Sequence, residues 1–149
     1  MWDEIREPST EECFLPTNQG GKVVRMKEPS EDDLAHISTS YPFPKKPMRK
    51  ENVPVEYPNG KQVLEIREVP ETDPTILAKW EDEHRKVDEI RLLAVAEACI
   101  VTEDKPPGTT PQERVNYLKS LPVMVKAKLM ATAKNLNEKR LAEQFEEAK

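Results

Sequence analysis

Asp73-Pro74-Thr75-Ile76-Leu77-Ala78-Lys79-Trp80 opens the stretch on which the reading of the fold turns, because a helix start is written into it. Asp73 offers a side-chain oxygen to the orphan amides of a first turn. Pro74, at the first helical position, gives up no hydrogen bond there. From Pro74 to about Val101, Ile76, Leu77, Trp80, Val87, Ile90, Ala94, Ala98 and Val101 recur at intervals of mostly three and four. Lys79, Glu81, Asp82, Arg85, Lys86, Asp88 and Glu89 cover the rest of the surface, so one face is built for burial.

Toward the C-terminus, Pro106-Pro107-Gly108 breaks this helix, and Thr110-Pro111-Gln112-Glu113 restarts one as a capping box with proline inside it. Val115, Leu118 and Leu121 give the new helix an apolar stripe before Pro122, which begins another through Val125, Leu129, Ala133 and Leu136. Asn135 or Asn137 is expected to punctuate the chain before Leu141 and Phe145, an i, i+4 pair on a charged terminal helix.

Toward the N-terminus the character changes. Val53-Pro54-Val55-Glu56-Tyr57, Pro58-Asn59-Gly60 and Lys61-Gln62-Val63-Leu64-Glu65-Ile66 read as strand, turn and strand, with Asn-Gly accepting positive φ. Pro54 lacks an amide donor and confines its strand to a sheet edge. An isolated hairpin is barely stable in water, so this one must pack on the next helix or on another chain. Tyr41-Pro42-Phe43-Pro44-Lys45-Lys46-Pro47 predicts polyproline-like backbone, and Ser30 caps a two-turn helix over Glu31 to Ile37. Residues 1–29 show no sustained period of 2 or 3.6, only a turn signal at Asn18-Gln19-Gly20-Gly21 before a short strand at Val23-Val24.

The expected fold is therefore α+β and mostly α. It consists of an extended Pro-rich arm over residues 1–52, a β-hairpin and linker over 53–72, and a small three- or four-helix bundle over 73–149. Leu, Ile, Val and Phe make only about a fifth of the 149 residues while charged residues reach 34%, so the core is small. The net charge of -5 speaks against nucleic acid as the main partner, since phosphate binding normally needs a basic face. No window approaches the length of a membrane span, and no charged segment followed by an apolar run opens the chain, which makes the cytoplasm the default location.

Material for catalysis is sparse, and the expectation is a protein that is not an enzyme and takes no cofactor. His36 and His84 are the only near-neutral acid-base groups. Glu81, His84 and Asp88 share a helical face, but one Glu-x-x-His element does not make a di-iron site, so no metal is expected. Cys13 and Cys99 are too far apart in sequence for the close pairing of zinc motifs and read as free thiols, Cys99 as a small core hydrophobe. The Gly-Lys pairs at Gly21-Lys22 and Gly60-Lys61 lack the spacing and the following Ser or Thr of a phosphate loop. Lys45, Lys46, Arg49 and Lys50, near Tyr41 and Phe43, form a basic-aromatic cluster that reads first as a solvated linker.

Glu68-Val69-Pro70-Glu71-Thr72-Asp73-Pro74, Trp80-Glu81, the aliphatic run Leu92 to Val101, Pro106-Pro107 and Leu121-Pro122 together resemble the small tail-assembly proteins of tailed bacteriophages. The resemblance covers residues 68–136. It implies a mostly helical tail assembly chaperone that coats the hydrophobic tape-measure protein and recruits tail-tube subunits, with no catalytic residues to carry over. The long leading half departs from that pattern. Its alternative is a structural virion component of the tail, neck or capsid whose arm interlaces with neighbouring subunits. Under either reading the partners are other proteins, homo-oligomers included. The expected protein-binding residues are Ile76, Leu77, Trp80 and Val87 on the long helix, with Leu141 and Phe145 near the end.

Overall fold

The structure, a computed structural model, describes the backbone of residues 9–17 and 20–147, and side chains among these as far as residue 142. In chain order the elements are β1 (Thr10–Leu15), β2 (Lys22–Lys27), α1 (Glu31–Ser40), β3 (Met48–Glu56), β4 (Gln62–Pro70), α2 (Pro74–Cys99), a 3-10 turn (Thr102–Asp104), α3 (Pro111–Lys119) and α4 (Val123–Glu147). The fold is α+β with two separate two-stranded antiparallel sheets, β1-β2 and β3-β4, and more helix than strand. No helix among the described residues is long and apolar enough to cross a membrane. The chain divides into two compact units. One is Phe43–Asp88, and the described residues on either side of it make the other, the division falling within α2.

The local signals in the sequence act as chemistry requires. Ser30 accepts from the Asp33 amide while the Asp33 carboxylate accepts from the Ser30 amide, so two orphan donors of α1 are satisfied at once. Asp73 Oδ1 accepts from the Thr75 amide at 2.9 Å with Pro74 as the first residue of α2. Thr110 Oγ1 accepts from the Glu113 amide, and the Glu113 carboxylate reaches back one residue further than expected, to the amide and hydroxyl of Thr109. Those two donors hold the Glu113 carboxyl below its usual range.

The larger unit holds the core. Alternation on the hairpin turns Cys13 and Leu15 of β1 and Val24 and Met26 of β2 inward, with Cys13 opposite Val24. Against them lie Leu93, Ala94, Ala96, Cys99 and Ile100 from the end of α2 and its exit, Val115 and Leu118 of α3, and Leu129, Ala133 and Leu136 of α4. Ala94 and Ala96 leave room for close approach. Beyond α2 the chain adds a backbone bridge from Ile100 to Met26. The Arg25 amide and guanidinium then clamp the Asp104 carboxylate, Nε at 3.1 Å.

Three expectations change here. The described residues between 9 and 42 are not an extended arm: they include β1, β2 and α1, and Cys13, Leu15, Val24, Met26 and Ile37 belong to the core. The bundle is correspondingly not of helices alone. The sequence signal for β1 is weak because Phe14 points outward at 53% exposure, breaking the polar-out pattern. Its ring lies over Gly21 with the Lys128 ammonium 5.7 Å from the centroid. Asn135 and Asn137 do not interrupt α4, which runs unbroken. Burial of Leu129, Ala133 and Leu136 along one face outweighs the few tenths of a kcal/mol that each asparagine costs a helix interior.

Candidate functional site

Within the 43–88 unit, the proline segment lies along the first half of α2. The Phe43 ring stacks on His84 at 4.3 Å and 12°, the Pro44 carbonyl accepts from Trp80 Nε1 at 3.1 Å, and the Lys46 ammonium lies 6.0 Å from the Trp80 ring centroid. Trp80 thus spends its polar edge and part of its ring on this chain's own segment and is half-buried, as are Leu77 and Val87. Ile76 remains 44% exposed. Ile76 and Trp80, together with Lys45, Pro47, Lys79 and Glu83, line a shallow cleft of about 210 Å³. The basic-aromatic cluster is therefore only partly a solvated linker, because Phe43 and Lys46 both have aromatic partners.

The hairpin of this unit is longer than its sequence signal, nine residues in each strand. Its turn is built on Pro58 and Asn59, with the Gly60 amide donating to the Tyr57 carbonyl. Only Gly60 takes positive φ, at +80°. At one end the Tyr57 amide donates to Lys61, and at the other the Glu71 amide donates to Pro47. With the register Val55 to Val63 and Val53 to Glu65, the odd-numbered residues carry the ladder bonds between the strands. The even-numbered residues therefore point their amides and carbonyls away from the partner strand. On β3 that outer row includes Pro54, which has no donor to offer, and Lys50. On β4 it runs without interruption through Gln62, Leu64, Ile66 and Glu68.

Side chains follow the same parity, so the outer-row residues share one face of the hairpin. Leu64 is 67% exposed and Ile66 71%, with Met48 and Pro54 exposed on that face too. The opposite face carries Val53, Val55, Val63 and Val69 together with Tyr57, whose hydroxyl donates to Glu65 and holds that carboxyl low. All residues from 43 to 88 are described, and none of them has a buried side chain. Sequence reasoning placed the contact surface on α2. The hairpin was legible as a hairpin, but its edge polarity needs the register.

The remaining expected contacts lie elsewhere. Leu141 of α4 belongs to the larger unit and is 41% exposed, while Phe145 lies within α4 with its side chain outside the described residues. Glu81, His84 and Asp88 do not converge: among the described residues no three potential metal ligands come together, and the His84 ring is stacked on Phe43.

Sequence reading missed a buried ion cluster in the larger unit. Glu97 is only 4% exposed, and its Oε1 accepts from Arg114 Nε at 2.6 Å and from Lys105 Nζ at 3.0 Å. Lys105 also donates to the Glu97 carbonyl, and Arg114 to the Gly108 carbonyl. An acid four residues after Leu93 and three before Ile100 is the trace this cluster leaves in the sequence. It borders a cavity of about 270 Å³ that His36, Asp33 and Tyr41 also line. Next to it, burial pushes the Cys99 thiol up to about 12, and Cys13 is buried as well, so both cysteines are free thiols out of reach of solvent. Compared with models of known protein families, with curated proteins and with solved structures, the chain matches none of them.

Proposed function

We propose that this chain is a non-enzymatic assembly factor that binds other proteins through its 43–88 unit. The observation that carries the reading is the distribution of burial. Two nine-residue strands and half of a long helix, from Phe43 to Asp88, stand without a single buried side chain, while Leu64, Ile66, Met48 and Ile76 face water. A segment of this size normally needs a partner, a metal or a disulfide to hold its form, and a two-stranded hairpin needs a third strand or a covering surface. An exposed strand edge flanked by aliphatic side chains is a recognised mode of peptide capture.

The resemblance of residues 68–136 to phage tail-assembly proteins supplies the kind of partner: a long, apolar, helical tape-measure protein, and the tube subunits that polymerise around it. The alternative is a structural virion component of the tail, neck or capsid; with β1, β2 and α1 folded, less of the leading half is left as an arm to interlace with neighbouring subunits, which favours the chaperone reading. Its test is a light-scattering assay in which the full chain is mixed with a tape-measure protein that aggregates alone. Suppression of scattering at a stoichiometric ratio, reduced by Ile66→Lys, is the expected result. Undiminished aggregation at excess chain would overturn the proposal.

A further inference from the structure

We infer that the open edge of β4 pairs with β4 of a second copy of this chain, antiparallel and centred on Glu65, to make one four-stranded sheet in the order β3-β4-β4-β3. This rests on the reading of the 43–88 unit as an interaction surface and names its first partner.

The two edges of the hairpin are not equivalent. Pro54 removes a donor from the middle of the β3 edge, and Lys50 adds a charge beside it, the two devices by which proteins protect an edge from pairing. The β4 edge has no proline between Gln62 and Glu68 and carries its one outward charge, Glu68, toward the end of that row; at its centre it presents two aliphatic side chains, Leu64 and Ile66, that are 67% and 71% exposed. Left alone, this edge would be a site of indiscriminate association. A defined occupant resolves that.

The sequence of β4 is complementary to itself. Because pairing must join outward-facing residues, only even positions can exchange ladder bonds with even positions. Centring on Glu65 sets Leu64 opposite Ile66 of the second copy, twice, and Gln62 opposite Glu68, twice. The exposed aliphatics are then covered by each other, with Pro54 of each copy, which sits across from Leu64, flanking the cluster. On the other face Val63 meets Arg67, and the two Glu65 carboxylates stand directly opposite each other, a like-charge contact unfavourable alone and offset here by the two Arg67 guanidiniums on the diagonals. Arg67 already pairs with Glu65 within the copy, so the centre holds two acids and two bases. Moving the centre by one residue to Ile66 places Leu64 against Glu68, and moving it to Leu64 leaves the copy's Glu68 beyond the turn. The symmetric arrangement closes on itself, as a two-fold dimer must, and leaves the donor-poor β3 edges outermost.

The experiment uses the full chain. In analytical ultracentrifugation the wild-type chain is expected at twice its 17.1 kDa, and Ile66→Lys at the monomer mass with an unchanged far-UV circular dichroism spectrum. Register is read by cysteine pairing: Glu65 faces its own copy across a non-hydrogen-bonded pair, where a disulfide fits. Glu65→Cys should form a covalent dimer under mild oxidation and Glu68→Cys should not, the native Cys13 and Cys99 being buried. A wild-type monomer at every concentration, or equal cross-linking of the two variants, would overturn the inference. If the wild-type chain is monomeric yet suppresses tape-measure aggregation, the second copy is ruled out and the assembly reading survives. A dimer without that suppression gives the reverse.

Discussion

Glu97 decides how the larger unit is held at its most polar point. With Arg114 and Lys105 converging on one carboxylate oxygen, and side chains only 16% and 22% exposed, the acid neutralises two cations that have little water of their own. Removing it leaves both uncompensated, which costs far more than a surface pair would contribute. Glu97→Ala is expected to lose about 3 kcal/mol of unfolding free energy in a urea titration. A loss no larger than that of an exposed Glu→Ala change would show the cluster to be ornamental. Cys99 gives a second test at this scale. Burial raises its thiol to about 12, so the folded state keeps a proton that the unfolded chain releases nearer 9. Its contribution to stability is whole below pH 9 and disappears as the pH climbs toward 12. At pH 8.5 a thiol reagent should label Cys99 only as fast as the chain unfolds. These residues illustrate what sequence hides. Cys99 reads as core because an apolar run surrounds it, whereas Glu97 reads as surface by its type and is core by its position.

Elements were legible in proportion to how local their causes are. The starts of α1, α2 and α3 follow from Ser30, Asp73-Pro74 and Thr110-Pro111, each acting on amides two or three residues away, and the β3-β4 turn follows from Pro58 to Gly60. β1 and the continuity of α4 depend on what they pack against, which no neighbouring residue announces. The β1-β2 hairpin also rests on Gly21. Its φ is +136°, and a Cβ there would lie 2.3 Å from Phe14 Cζ, so a side chain meets both backbone strain and the Phe14 ring. Gly21→Ala should destabilise the chain by about 1 to 2 kcal/mol. The same change at Gly20, where the added carbon touches nothing within 4 Å, should cost less. Equal melting temperatures for the two variants would show that Phe14 yields freely.

At the scale of the molecule, burial is divided unevenly between the two units. One unit contains the whole described core, drawn from both ends of the chain; the other has long strands, an edge blocked on one side and open on the other, and no buried side chain. Of the residues expected on α2, Ile76 is exposed. Trp80 donates to the Pro44 carbonyl, a contact across 36 residues that its neighbours in sequence do not announce. If the second copy pairs as proposed, the outer edge of β4 is completed by another strand. Hydrogen exchange of individual β4 amides as a function of protein concentration measures this directly. The amides of Leu64, Ile66 and Glu68 are expected to gain protection as concentration rises. Val63, Glu65 and Arg67, already bonded to β3, should be the more protected set in dilute solution. Fast exchange at the even positions whatever the concentration would contradict the proposed pairing.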